Sequence, residues 1–170
     1  FNHEKFIEKV LNRIDRKIFN KFETEILIND DHSSDNTLEK IRNYKNKNKN
    51  KNIKYKIKIL SNPKNLGYGG NQKIGFHYAI KNQFEILAVL PPDGKYFPTN
   101  IQNLIDTFVD SKADILLGSR ISGGLTSIKN EMPVFRYLGI KALTWFQNIL
   151  LGTQFSDLHS SYRVYRVQAI

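Results

Sequence analysis

Apolar positions in this chain follow first one period and then another, and the switches lay out its elements. Phe6, Ile7, Val10, Leu11, Ile14 and Ile18 recur every three or four residues and predict an amphipathic helix over residues 4–18. The run Ile26-Leu27-Ile28 marks a strand over residues 25–29, and capping residues after it predict a helix over about 35–45. Lys56-Ile57-Lys58-Ile59-Leu60 alternates and predicts a strand near a sheet edge. Asn65-Leu66-Gly67-Tyr68-Gly69-Gly70-Asn71 is a glycine-rich turn opening a helix that reaches about Lys81. Residues 85–90 read as a buried strand ending on Pro91-Pro92-Asp93-Gly94. Thr99 then stands where it would cap a helix whose apolar face is Ile101, Leu104, Ile105, Phe108 and Val109. A further strand spans 114–119. Residues 134–151 predict a strongly apolar helix whose charges are Arg136 and Lys141.

Strands alternating with helices predict an α/β fold, a mostly parallel sheet with helices on both faces. The 170 residues read as one domain. Because the order begins with a helix, the first strand of such a sheet is expected to precede residue 1, and further sequence is expected beyond Ile170.

Composition narrows the setting. There is no cysteine, which excludes disulfides and thiolate metal sites and suits a reducing, cytoplasmic location. No apolar run approaches the ~20 residues of a membrane span. No signal peptide is visible. The 134–151 helix is either a core helix or one lying in a membrane interface with its aromatic rings at headgroup level. The net charge of +10 is local: Lys45 to Lys58 holds seven lysines and no acid, and without them the chain is +3 (10 − 7). This Lys-Asn tract reads as a solvated loop. Anionic lipid headgroups are as good a partner for it as RNA, so nucleic acid is not the expected partner.

The candidate chemistry sits at strand ends. In an open α/β sheet, ligands bind beyond the carboxyl ends of the strands. Asp30 and Asp31 stand there. Capping of the next helix is already served by Ser34, Asp35 or Asn36, with Glu39 three residues after Asn36, so the two acids are candidates for ligand binding. Asp93 and Ser119-Arg120 end two later strands, and Asp157, His159, Tyr162 and Arg163 follow. Arginine pairs bidentately with phosphate oxygens. Carboxylates accept from nucleobase N–H groups or ribose hydroxyls, or hold a divalent cation on a diphosphate. A nucleoside diphosphate derivative would use all of these. A nicotinamide dinucleotide would not fit as well, because Gln72 stands where the third glycine of that fingerprint belongs.

Six segments in order resemble glycosyltransferase family 2, with its GT-A nucleotide-sugar fold, and most of all the branch of dolichyl- and polyprenyl-phosphate sugar synthases. Phe1-Asn2-His3-Glu4 resembles "YNEE", and residues 29–37 (NDDHSSDNT) resemble "VDDGSTDGT". Residues 65–75 (NLGYGGNQKIG) resemble the family's second signature. Residues 90–98 (LPPDGKYFP) fall on the "DADGQ" metal segment. Gly118-Ser119-Arg120 is similar to "GSR", and Ser160-Ser161-Tyr162-Arg163 to "SGYR". The resemblance implies an inverting single displacement that moves a sugar from a nucleotide-sugar donor to an acceptor, a lipid phosphate or a cell-envelope glycan. It implies that Asp30 or Asp31 contacts the nucleobase and ribose, that both acids with Asn65, Gly67 and Lys95 belong to the nucleotide-sugar site, and that Asp93 faces the diphosphate and its metal. Arg120 and Arg163 would bind phosphate oxygens. A hydroxyl acceptor would require a base, for which Asp157 and His159 are candidates; a phosphate acceptor is already an anion. Peripheral contact with the inner face of a membrane is implied as well.

The metal segment departs from the pattern. Two carboxylates and a glutamine are expected, and Pro91, Asp93 and Lys95 stand there. Magnesium wants oxygen ligands in octahedral geometry, and an ammonium has no lone pair to give. A site for Mg2+ or Mn2+ is thereby weakened, and Lys95 is expected to replace part of the cation by pairing with the diphosphate. The same departure makes a non-catalytic nucleotide-sugar-binding homologue the alternative reading. A basic nucleic-acid-binding domain is the more distant one.

Overall fold

The computed structural model describes residues 1–49, 55–93, 98–119, 121 and 133–170. Its strands form two small sheets. β1 (Thr24–Asp30) and β2 (Tyr55–Ser61) pair in parallel, from Thr24 opposite Tyr55 to Asp30 opposite Ser61. β3 (Ile86–Val89) and β4 (Ile115–Leu117) each pair antiparallel with β5 (Arg163–Arg166), which lies between them. β3 and β4 therefore point the same way, as the α/β pattern requires, with β5 inserted in the opposite sense. The sequence pattern did not reveal β5. Its four residues, Arg-Val-Tyr-Arg, are too few to show a period and carry arginine at both ends. Val164 and Tyr165 nevertheless supply its core contacts.

α3 (Thr37–Lys49), α4 (Gly67–Lys81) and α5 (Ile101–Ser111) connect successive strands, and α6 (Val134–Leu151) precedes β5. The core forms between the helices and both sheets. Ile41 of α3, Phe108 of α5 and Val164 of β5 are fully enclosed, and Phe19 stacks on Tyr55. Burial of side chains of this size is the main stabilising term, about 1.5–3 kcal/mol each.

Three boundaries differ from expectation for local reasons. The 4–18 helix is broken into α1 (Ile7–Arg13) and α2 (Ile18–Lys21), with Ile14 extended between them. Asp15 Oδ1 accepts the Lys17 N–H at 3.0 Å, and such a side-chain acceptor competes with the helical ladder. Thr99 does not cap α5: residues 98–100 form a 3-10 turn, and Asn100 takes the cap position without a side-chain bond. The Lys-Asn tract is not a loop throughout, because α3 continues to Lys49 and β2 begins at Tyr55; residues 50–54 lie outside the described residues. The helix continues because it still has a buried face: Tyr44 and Asn48 are enclosed, with Asn48 Nδ2 donating to the Tyr44 carbonyl at 2.8 Å.

The start of α3 is capped from a distance. Asp35 Oδ1 accepts the Thr37 N–H at 3.0 Å, and Glu4 Oε2 accepts the Asn36 N–H at 3.0 Å. Glu4, not Glu39, thus provides the acidic partner. In return Asp35 Oδ2 accepts the Glu4 N–H at 3.2 Å, and Thr37 Oγ1 accepts the His3 N–H at 2.8 Å. Burial would raise the Asp35 pKa, but donation from Thr37 and Glu4 outweighs it and holds the carboxyl below its ordinary value. Two segments 31 residues apart in sequence are pinned through these bonds. Asp35→Ala is expected to cost about 1–2 kcal/mol, the upper range for a lost cap, measurable by urea unfolding.

Candidate functional site

α4 runs antiparallel to β1: Asn71 near its start bonds Asn29 at the end of β1, and the Tyr78 hydroxyl donates to Glu25 at the beginning. Its C-terminal end meets the start of β3 through the Phe84 N–H on the Ala79 carbonyl. The N–H of Arg166, at the end of β5, bonds the Asp114 carbonyl just before β4. The C-terminal ends of β1 and β2 therefore meet the first turns of α4, where strand-end ligands are bound, and those of β3 and β4 flank Arg163.

At the β1 end, both carboxylates are enclosed: Asp30 is 3% and Asp31 4% exposed. Asp30 accepts the Ser33 N–H at 3.0 Å and the Ser33 hydroxyl, closing a turn through His32 at φ +62°. Asp31 Oδ1 accepts Asn62 Nδ2 at 2.7 Å and the Leu66 N–H at 2.8 Å. Burial pushes the Asp31 pKa up, but the Leu66 and Gly67 N–H groups and the Asn62 amide together bring it below the ordinary carboxylate value. Asp31 is thus held ionised against the start of α4.

The glycine-rich turn shapes that start. Asn65 Oδ1 accepts the Gly67 N–H at 2.8 Å, and Gly67 has φ +71°, a conformation that favours glycine. A Cβ on Gly70 would lie 2.7 Å from the Leu66 Cβ, so only glycine lets the turn close.

At the other sheet, Asp93 is half-buried in the turn after β3, behind Pro91 and Pro92. Arg163 opens β5 opposite Val89 and Leu117, between the ends of β3 and β4. Its Nε donates to the Ser160 carbonyl at 2.7 Å and its Nη2 to the Leu158 carbonyl at 3.4 Å. These bonds fix the guanidinium and leave further N–H groups of its five for other acceptors. Ser119 follows β4. Lys95 and Arg120 lie outside the described residues.

Asp157 is 1% exposed, and its Oδ1 accepts the His159 N–H at 3.0 Å. His159 Nε2 pairs with Gln147 Oε1 of α6 at 2.9 Å, tying α6 to the segment that enters β5. Asp93 is the one carboxylate of the metal segment, and no group of three His, Cys, Asp or Glu among the described residues could hold a metal ion. A cation there would have to complete its oxygen ligands from diphosphate and water, so these residues do not build a cation site of their own.

Three asparagines were not among the expected site residues. Asn29, Asn62 and Asn71 join the ends of β1 and β2 to α4. Polar side chains closing otherwise apolar strands were the available signal.

α6 is turned outward. Phe135 is 77% and Trp145 66% exposed, and Leu138, Phe146 and Ile149 are exposed with them. At ~100° per residue these five share one face, opposite the buried Thr144, with Arg136 and Lys141 on its two flanks. Tyr137, Lys141, Thr144, Trp145, Asn148 and Phe155 line an open cavity of ≈ 450 Å³ beside the helix. No helix among the described residues is long and apolar enough to cross a membrane.

The sequence model of the family described as Glycosyl transferase family 2 matches residues 1–170. A UDP-N-acetylglucosamine–dolichyl-phosphate N-acetylglucosaminyltransferase of Methanococcus voltae is 30% identical over 176 residues, covering 100% of this chain and 68% of the relative. An undecaprenyl-phosphate mannosyltransferase of Micrococcus luteus is 25% identical over 114 residues, 67% of this chain and 45% of the relative.

Proposed function

The chain belongs to glycosyl transferase family 2, and we propose that this glycosyltransferase moves a sugar from a nucleoside-diphosphate donor onto a polyprenyl phosphate at a membrane surface. Both relatives are named for transfer to such lipids. The observation that carries the proposal is α6: an apolar face turned to solvent and flanked by two cations has the form of a helix lying in an anionic lipid interface. The adjoining cavity offers the Lys141 ammonium to a phosphate and aromatic walls to the first units of the lipid chain.

In this reading the donor lies across the strand ends. Asp31, and Asp30 behind it, serve the nucleoside, with Asn65 and Gly67 shaping the turn beside it. Asp93 faces the diphosphate, and Arg163, with Lys95 and Arg120, supplies positive charge for the phosphates. A lipid phosphate oxygen attacks the anomeric carbon. The bond from that carbon to the nucleoside diphosphate breaks, and the diphosphate leaves with the electron pair, inverting the centre. The work of the protein is positioning and stabilisation of the charge on the leaving group. The attacking phosphate is already an anion and requires no base. The enclosure of Asp157 against its own turn favours this acceptor over a glycan hydroxyl. Lys95 takes part of the cation's role, so chelation is expected to reduce transfer without abolishing it. A chain without cysteine suits the inner face of the membrane.

A thermal-shift panel of UDP-, GDP- and dTDP-sugars tests the donor half. A donor at about 100 times its Kd stabilises by about 2.7 kcal/mol, so one of the three should raise the melting temperature clearly. No shift with any of them would refute the donor assignment.

A further inference from the structure

We infer that Asn62, relayed through Asn71, is a positioning residue that holds Asp31 for the nucleoside half of the donor. The inference rests on the assignment of Asp31 to that half. Asn62 is buried at the end of β2. Its Nδ2 donates to Asp31 Oδ1 at 2.7 Å and to Asn71 Oδ1 at 2.9 Å, which uses both hydrogens of the amide. Its backbone N–H bonds the Asp30 carbonyl at 2.9 Å, extending the β1–β2 ladder past Ser61. Backbone and side chain of Asn62 are both fixed.

The far end of the relay is fixed too. Asn71 Oδ1 accepts a second bond from Asn29 Nδ2 at 2.6 Å, and Asn71 Nδ2 donates to the Asn29 carbonyl at 3.2 Å. Flipping the Asn71 amide would set its NH2 against two other NH2 groups, so its orientation is determined by its neighbours. The relay thereby joins the ends of two strands to α4. Asn62 and the Leu66 N–H both bond Asp31 Oδ1. One donor comes from the sheet and the other from the helix. Held from both sides, the carboxylate cannot rotate about its bond to the chain, and the direction of Oδ2 is set. Without Asn62 only the helix-side donors remain, and the carboxylate is free to turn toward α4.

A bond that merely stabilised the fold would change the affinity for every ligand of the cleft or for none. A positioning bond changes only affinity that depends on the nucleoside. The test measures, by titration calorimetry, the tightest-binding of UDP, GDP and dTDP alongside inorganic pyrophosphate, which has no nucleoside. Asn62→Leu is expected to weaken the nucleoside diphosphate about tenfold or more, the effect of leaving buried polar partners unsatisfied, and to leave pyrophosphate within about twofold. Asn71→Ala, at the half-buried end of the relay, should produce a smaller loss of the same kind and guards against misfolding of the first variant. Asn62→Ser, which keeps a donor, should recover part of the affinity. Equal losses for both ligands would overturn the inference. So would full nucleotide affinity in Asn62→Leu and Asn71→Ala when Asp31→Asn has lost it, a result that leaves the nucleoside assignment standing. Full affinity in Asp31→Asn itself would remove that assignment and the inference together.

Discussion

Asp93→Asn is expected to slow sugar transfer by about 10²–10³-fold, the scale of removing one aligned electrostatic group from an active site. Asparagine has nearly the volume of aspartate, so the turn behind Pro91 and Pro92 can keep its shape while the charge is lost. The effect should fall mainly on kcat, because a carboxylate beside the diphosphate would act by orienting the cationic groups, Lys95 and Arg163 among them, that offset the charge growing on the leaving group as the bond to the sugar breaks. Single-turnover transfer measured for wild type and variant, with donor affinity measured separately, separates the two. A large rise in donor Kd with an unchanged rate at saturation would assign Asp93 to ground-state binding.

The second large effect concerns α6. Replacing Phe135, Trp145 and Ile149 together by serine is expected to lower partition onto vesicles of anionic phospholipid at least about 100-fold, since each large apolar side chain contributes about 1.5–3 kcal/mol on leaving water. All three are strongly exposed, so their replacement removes no core packing, and the melting temperature should hold or rise. Binding of the nucleoside diphosphate should be unchanged, because none of the three is among the residues assigned to the donor. Co-sedimentation with vesicles reads the loss directly. Wild-type protein that stays in the supernatant with anionic vesicles would show that the apolar face serves some other partner.

Much of the frame was legible because apolar period and strand-end chemistry agreed. The strands at 25–29 and 85–90 appeared within a few residues, and the helix over 134–151 was found at its stated ends. What escaped depends on contacts distant in sequence. No local pattern links Glu4 to Asn36, so the expected partner of the α3 start was the nearby Glu39. β5 is held by strands on both sides of it, and its Arg163 read as a ligand group without regard to the backbone that carries it. The site was legible as a set of residues and illegible as an arrangement. Asp30 and Asp31 were expected to have no structural work, yet both accept hydrogen bonds within the fold, and Asp31 joins two strands to a helix. The outward face of α6 could not be told from a buried one by apolar length, since only the packing around Thr144 reveals which side is inside.

Transfer to a polyprenyl phosphate is read from the movement of labelled sugar. The chain is incubated with a radiolabelled UDP-, GDP- or dTDP-sugar and polyprenyl phosphate in bilayers, and label in the organic phase is counted with the nucleoside diphosphate released. Transfer to a polyprenyl phosphate predicts lipid-dependent label with one diphosphate released per sugar transferred, reduced and not abolished by chelator. Donor binding with no label in the lipid, or release of free sugar alone, would contradict it.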